Sequence, residues 1–313
     1  MDPARLLGRL LDPLARAMLE GPGVPAFDFA RPPGEPALVD ARSVSWRVFR
    51  NPVALFTGGV AAVILELAEP AVRAGVWDHS SFRTDPVGRL RRTGLAAMAT
   101  VYGARSAAEA MIAGVRRAHE RVTGVTAAGL PYRADDPELL RWVQATAVWG
   151  FAGAYHAYAA PLAPPDLSRA FAEGAPAARL YGVPDPPRSL ADWEALLARA
   201  APRLEPSPVL GEFLGLMRGA PVLPRPLRPV QRLMVRGAVA LVPEPLRAHL
   251  RLGRGFRASE AALLRRFGAL AERVDFPSGP PARALRRLGL PPDFFTAARS
   301  PNAARSPTPA PPA

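Results

Sequence analysis

Three acid–proline junctions divide the first half of this chain into helices. Proline is tolerated in the first turn of a helix, where its missing N–H has no partner to lose. A preceding carboxylate can cap the other free N–H groups. Asp85-Pro86 and Asp136-Pro137 each head a long run with helical apolar spacing, and Glu69-Pro70 interrupts another. The spacing predicts helices over 86–103, from just after Ser106 to about Val122, and over 137–158. The last carries Trp142, Val143, Val148, Trp149, Phe151 and Tyr155 and is apolar nearly all round, which predicts a central position. The run 53–65 contains Gly58 and Gly59 and stops at Glu66. It is shorter than the roughly 20 residues of a membrane span and reads as a buried core helix.

Shorter helices are predicted near 165–180, 189–200, 207–218, 225–242, 244–251, 257–274 and 280–289. Segments 77–86 and 123–137 read as connections. No run alternates as a strand does, and no repeat is evident. The expectation is an all-α fold, one large helical domain over 39–298. Residues 1–38 form an amphipathic helix and a Pro/Gly-rich arm, and the Pro- and Ala-rich tail 299–313 is predicted to be disordered. In the first helix Leu6, Leu10 and Leu14 fall at helical spacing, which predicts packing on the body. The N-terminus has no long apolar core followed by a small-residue cleavage site. A cytoplasmic protein without a transmembrane segment is expected, with peripheral membrane contact left open.

The chain has no cysteine, which excludes disulfides, iron–sulfur clusters, thiolate-ligated haem and Cys nucleophiles. A metal ligand must come from His79, His119, His156 or His249, from carboxylates, or from Tyr or Met. The net charge of +13 is carried by arginine, for the sequence contains no lysine. The arginines are spread along the chain with little aromatic interleaving and no DNA- or RNA-binding signature, so no nucleic-acid partner is expected. No phosphate-binding loop, zinc-protease motif or serine elbow is present.

His119 shares a helical face with Ile112, Val115 and Val122, a histidine within an apolar stripe. Two readings stand: a core histidine bonded to a carbonyl, or a neutral imidazole that ligates haem iron. On the preceding helix, Arg89, Arg92 and Thr93 lie at i, i+3, i+4 and point one way. Arg91 is turned about 100° away, toward solvent. Gly94, Ala96, Ala97 and Ala99 are small enough to admit a flat group or another helix. His79 reads as a loop residue, His156 as a helix-end residue and His249 as a surface one.

The segment ELAEPAVRAGVWDHSSFRTDPVGRLRRT (66–93) is followed by VRRAHERVTG (115–124), YRADDPELLRWVQAT (132–146) and ARLYGVPDPP (178–187). In order and spacing these resemble the signatures of the latex-clearing rubber oxygenases and MpaB-type oxygenases over roughly 40–260. The resemblance implies an all-helical protein with a haem b pocket between central helices, acting as an oxidoreductase. It implies His119 as the iron ligand, and Arg89, Arg92 and Thr93 at the distal side or haem edge. There an arginine could pair with a propionate or hydrogen-bond dioxygen. It also implies a hydrophobic, perhaps isoprenoid, substrate. Latex-clearing members carry lysine where this chain has Arg92; a guanidinium stays protonated and does not ligate iron. Relatives often carry histidine where this chain has Gln144 and Glu69, and no residue matches the glutamate base of rubber cleavage. The alternative is a non-enzymatic helical protein that holds an apolar ligand.

Overall fold

The junctions at Glu69, Asp85 and Asp136 each start a helix. In the computed structural model, which describes residues 3–17 and 20–297, the Glu69 side chain accepts from the Val72 N–H at 2.8 Å. Asp85 accepts from Gly88, and Asp136 accepts from Glu138 and Leu139. The helices are α1 (Pro3–Ala17), α2 (Val44–Phe49), α3 (Pro52–Ala68), α4 (Pro70–His79), α5 (Pro86–Tyr102) and α6 (Arg105–His119). A hairpin of β1 (Thr123–Val125) and β2 (Pro131–Arg133) follows. Then come α7 (Pro137–Tyr158), α8 (Pro164–Tyr181), α9 (Leu190–Ala200), α10 (Pro208–Gly219), α11 (Arg228–Leu241) and α12 (Glu244–His249). The described chain ends with α13 (Ala258–Ala271), α14 (Pro280–Arg287) and α15 (Phe294–Ala297). The fold is all-α, as the helical spacing predicts. The expected disordered tail lies outside the described residues.

α3 and α7 form the centre. They cross backbone to backbone at Gly58 and Gly150. A Cβ on Gly58 would lie 2.5 Å from the Gly150 carbonyl oxygen, and one on Gly150 would lie 2.4 Å from that of Gly58. The contact continues where the buried Trp142 indole N–H donates to the Leu65 carbonyl at 3.2 Å. Trp142, Trp149 and Phe171 stack around Trp193 of α9 on the outer side of α7. A polar knot fixes the start of α3. Asn51 caps that helix and donates to Glu272, which also receives hydrogen bonds from Tyr155 and Arg50. Burying such charges is costly, and here each has partners. A second apolar cluster joins α2, α5, α6 and α14 to the arm through Trp46, Leu95, Tyr102, Ile112 and Leu285.

Several local expectations are corrected. α4 runs on to His79, so Trp77, Asp78 and His79 are helical and only Ser80–Asp85 connects. The segment after α6 contains the antiparallel hairpin, with Thr123 opposite Arg133; three residues a side are too few to alternate visibly. α6 stops at His119, which puts Val122 beyond its face. On α1, Leu6 and Leu10 point outward, 49% and 69% exposed, while Gly8 sits against the backbone of Asp275. The glycine face packs because it alone allows that approach. Among the described residues no single helix is long and apolar enough to cross a membrane. α3 and α4 pass that test only as a pair bent by 111°, and α3 is mostly core.

The central crossing predicts a sign. Alanine is a better helix former than glycine by about 1 kcal/mol. Gly58→Ala and Gly150→Ala should nevertheless each destabilise the protein by about 1–3 kcal/mol, because overpacking outweighs propensity. Thermal unfolding should show a melting point several degrees lower. An unchanged or raised melting point would contradict the close crossing.

Candidate active site

Glu66 is the one carboxylate within an otherwise apolar helix, one turn from the end of α3. It lies close enough to Arg89 of α5 for their charges to interact. Its only hydrogen-bond contact among the described residues is with Thr146 of α7, at a long 3.5 Å, and the Thr146 hydroxyl donates more closely to the Val143 carbonyl at 2.9 Å. The carboxylate therefore lacks good donors. Desolvation pushes its pKa up to about 7, against the opposing effects of Arg89 and Thr146.

Arg89 is half-buried. Its guanidinium donates to the Thr93 hydroxyl at 2.9 Å and lies 5.5 Å from the centre of the Phe82 ring. Its Nε is buried without a hydrogen-bond partner among the described residues. Burial lowers the pKa of Arg89, Glu66 raises it and Arg92 lowers it again; the group stays cationic. His119 ends α6 close enough to Arg89 for their charges to interact. Its Nδ1 is buried with no hydrogen-bond partner among the described residues, in contrast to a carbonyl-bonded core histidine. Burial lowers its pKa first and the Arg89 charge adds to that, with Asp135 opposing. The imidazole is thus held in its neutral, lone-pair form at neutral pH.

Of the residues the sequence singles out, Arg89, Thr93 and His119 come together. Arg92 turns instead to the loop before α5: it donates to Ser81 Oγ at 2.6 Å and pairs with Asp85 at 3.5 Å. Glu66 was missed, although a lone carboxylate in an apolar helix is a signal. The other histidines have ordinary partners. His79 lies 3.1 Å from the Tyr132 hydroxyl, linking α4 to the hairpin. His156 Nδ1 accepts from the Leu162 N–H at 3.0 Å, and His249 lies 2.8 Å from the Leu204 carbonyl at the surface.

On the other face of α5 is an apolar cavity of about 600 Å³. Val87, Leu90, Gly94, Ala97 and Met98 line it from α5, so two of the small residues border open space rather than a helix. Arg91 also lines it, which corrects its expected solvent position. Along α3 the lining follows Leu55, Gly59 and Val63, and Glu66 continues that stripe one turn farther. Thr93 belongs to both features, bonded to Arg89 and bordering the cavity, as does Phe82. Arg89, Arg92 and His119 are not in the lining. The arrangement is a polar cluster beside an apolar cavity, joined to it through Thr93 and Phe82.

The fold is helical and sets Glu66, Arg89 and His119 near one another beside a large apolar cavity. The chain belongs to the family described as ER-bound oxygenase mpaB/B'/rubber oxygenase, catalytic domain, whose model matches residues 46–273. Neither curated proteins nor solved structures yield a match. Glu66, Arg89, Arg92, Thr93 and His119 all lie inside the matched region.

Because folding raises the Glu66 pKa, the folded chain binds that proton more tightly than the unfolded one. Stability is then fullest below the unfolded value near 4.5 and falls as pH rises to about 7. Glu66→Gln should match the wild type at pH 4.5 and be more stable at pH 8, by denaturant titration. Parallel profiles would contradict the raised value.

Proposed function

We propose that the protein is a haem-b-dependent oxygenase of hydrophobic small molecules, with His119 as the iron ligand. The observation that carries this is the buried His119 ring nitrogen, which has no hydrogen-bond partner among the described residues and feels the Arg89 charge, in a chain of an oxygenase family. Among the described residues no cluster of three or more His, Asp or Glu side chains could hold a bare metal ion. Haem asks less of the protein, since its porphyrin already supplies four ligands and one imidazole completes the attachment. The donor set therefore fits.

Bound there, haem would supply the binding and activation of dioxygen. The residues supply the rest. Neutral His119 offers its lone pair. Arg89, steadied by Thr93, offers N–H groups to a propionate or to oxygen, and Arg92 adds positive charge at the edge. Glu66, with a pKa of about 7, can hold or release a proton near neutral pH at its carboxyl oxygen. The apolar chamber excludes water and receives the substrate. Arg92 stays protonated and would not ligate iron. The outward Leu6 and Leu10 of α1 favour contact with a membrane surface, where hydrophobic substrates concentrate.

One observation favours a second reading, a non-enzymatic carrier: the cavity lining does not include His119. Spectroscopy separates the two. Protein produced with haem precursor should show a Soret band, and His119→Ala should lose or strongly shift it. A colourless protein that takes up no added haemin would overturn the oxygenase reading, and so would a band indifferent to His119→Ala.

A further inference from the structure

The cavity walls are apolar, among them Phe56, Val60, Phe151 and Phe213, yet four arginines line it against one carboxylate, Asp275. Arg50 is committed, bound to Asp275 at 2.9 Å and to Glu272 behind it. Arg9, Arg91 and Arg286 form no ion pair among the described residues. Two of these belong to the same end. Gly8, next to Arg9, abuts Asp275, and the Arg286 guanidinium donates to the Pro277 carbonyl at 2.9 Å. Asp12 lies nearby, where it accepts from the Ser278 N–H. That end is at the start of α3, lined by Pro52, whereas Glu66 follows the stripe at its far end. From residue 52 to 66 is roughly 21 Å at about 1.5 Å per residue.

We infer that the cavity binds an amphiphile with an anionic head, a carboxylate or phosphate, seated between Arg9 and Arg286. Its apolar tail runs along α3 toward Thr93 and Glu66. A guanidinium suits both head groups, and the apolar walls suit the tail. A neutral hydrocarbon would leave the guanidiniums unused. Calling this ligand the substrate rests on the proposed function. The binding itself does not, since Arg9, Arg286 and the walls hold no cofactor.

The test is calorimetric titration of the full chain, without added haemin, with laurate, dodecyl phosphate and 1-dodecanol. One molecule per chain is expected, with at least one anion about tenfold tighter than the alcohol. Preference for only one anion identifies the head group. The exposed pair Arg9→Gln and Arg286→Gln, combined, should lose the preference and keep the alcohol affinity. Ala97→Trp, checked for folding by circular dichroism, should block all three ligands. Affinities of both anions no tighter than that of the alcohol, or a preference that survives loss of both arginines, would overturn the inference. So would no binding at all, the mark of a cavity filled by the chain itself. Failure here leaves the Soret test of His119 standing, and failure of that test leaves this one standing.

Discussion

Backbone contact between Gly58 and Gly150 sets the geometry on which the rest depends. Two glycines let α3 and α7 approach closer than any side chain would allow, so α3 is locked against its partner along one face. The adjacent face, about 100° round the helix, borders the cavity that α5 also lines. There its residues are spaced so that Leu55, Gly59 and Val63 border the cavity and Glu66 continues the line. The polar knot of Arg50, Asn51, Tyr155 and Glu272 pins the start of the same helix. With one end pinned and the middle locked, α3 can hold a carboxylate in a place that is costly to charge.

That cost shapes the cluster. Glu66 has one poor hydrogen-bond donor, and Arg89 reaches it without a direct bond. His119 meets the same positive charge. A single guanidinium therefore eases ionisation of the acid and opposes protonation of the base. Thr93 holds that guanidinium and also borders the chamber, which makes α5 the wall through which apolar space and polar cluster communicate.

Much of the fold was legible because proline and capping acids mark helix starts without reference to tertiary contacts. The central helix, Pro137–Tyr158, follows from Asp136 and an all-round apolar pattern. The hairpin was not legible, since its short strands depend on packing against α4. The site was half legible. Arg89 and Thr93 pair because they are four residues apart on one helix, which sequence spacing reveals. Arg92 shares that spacing but is drawn off by Ser81 and Asp85, and a helical wheel does not show a neighbouring loop. Glu66 stayed hidden as a site residue because its meaning comes from Arg89, a residue 23 positions away. The outward leucines of α1 show the same limit: amphipathicity reports two faces, and the packed one was chosen by Gly8 fitting against Asp275.

The central claim is that Glu66, Arg89 and His119 form one electrostatic unit at the junction of α3, α5 and α6. NMR titration of the His119 imidazole and the Glu66 carboxyl, in the wild type and in Arg89→Met, tests it most directly. The account predicts a His119 pKa below and a Glu66 pKa above their ordinary values. Both should rise when the guanidinium is removed, the histidine because a repulsive charge is lost and the acid because an attractive one is. Titrations unchanged by Arg89→Met would contradict it.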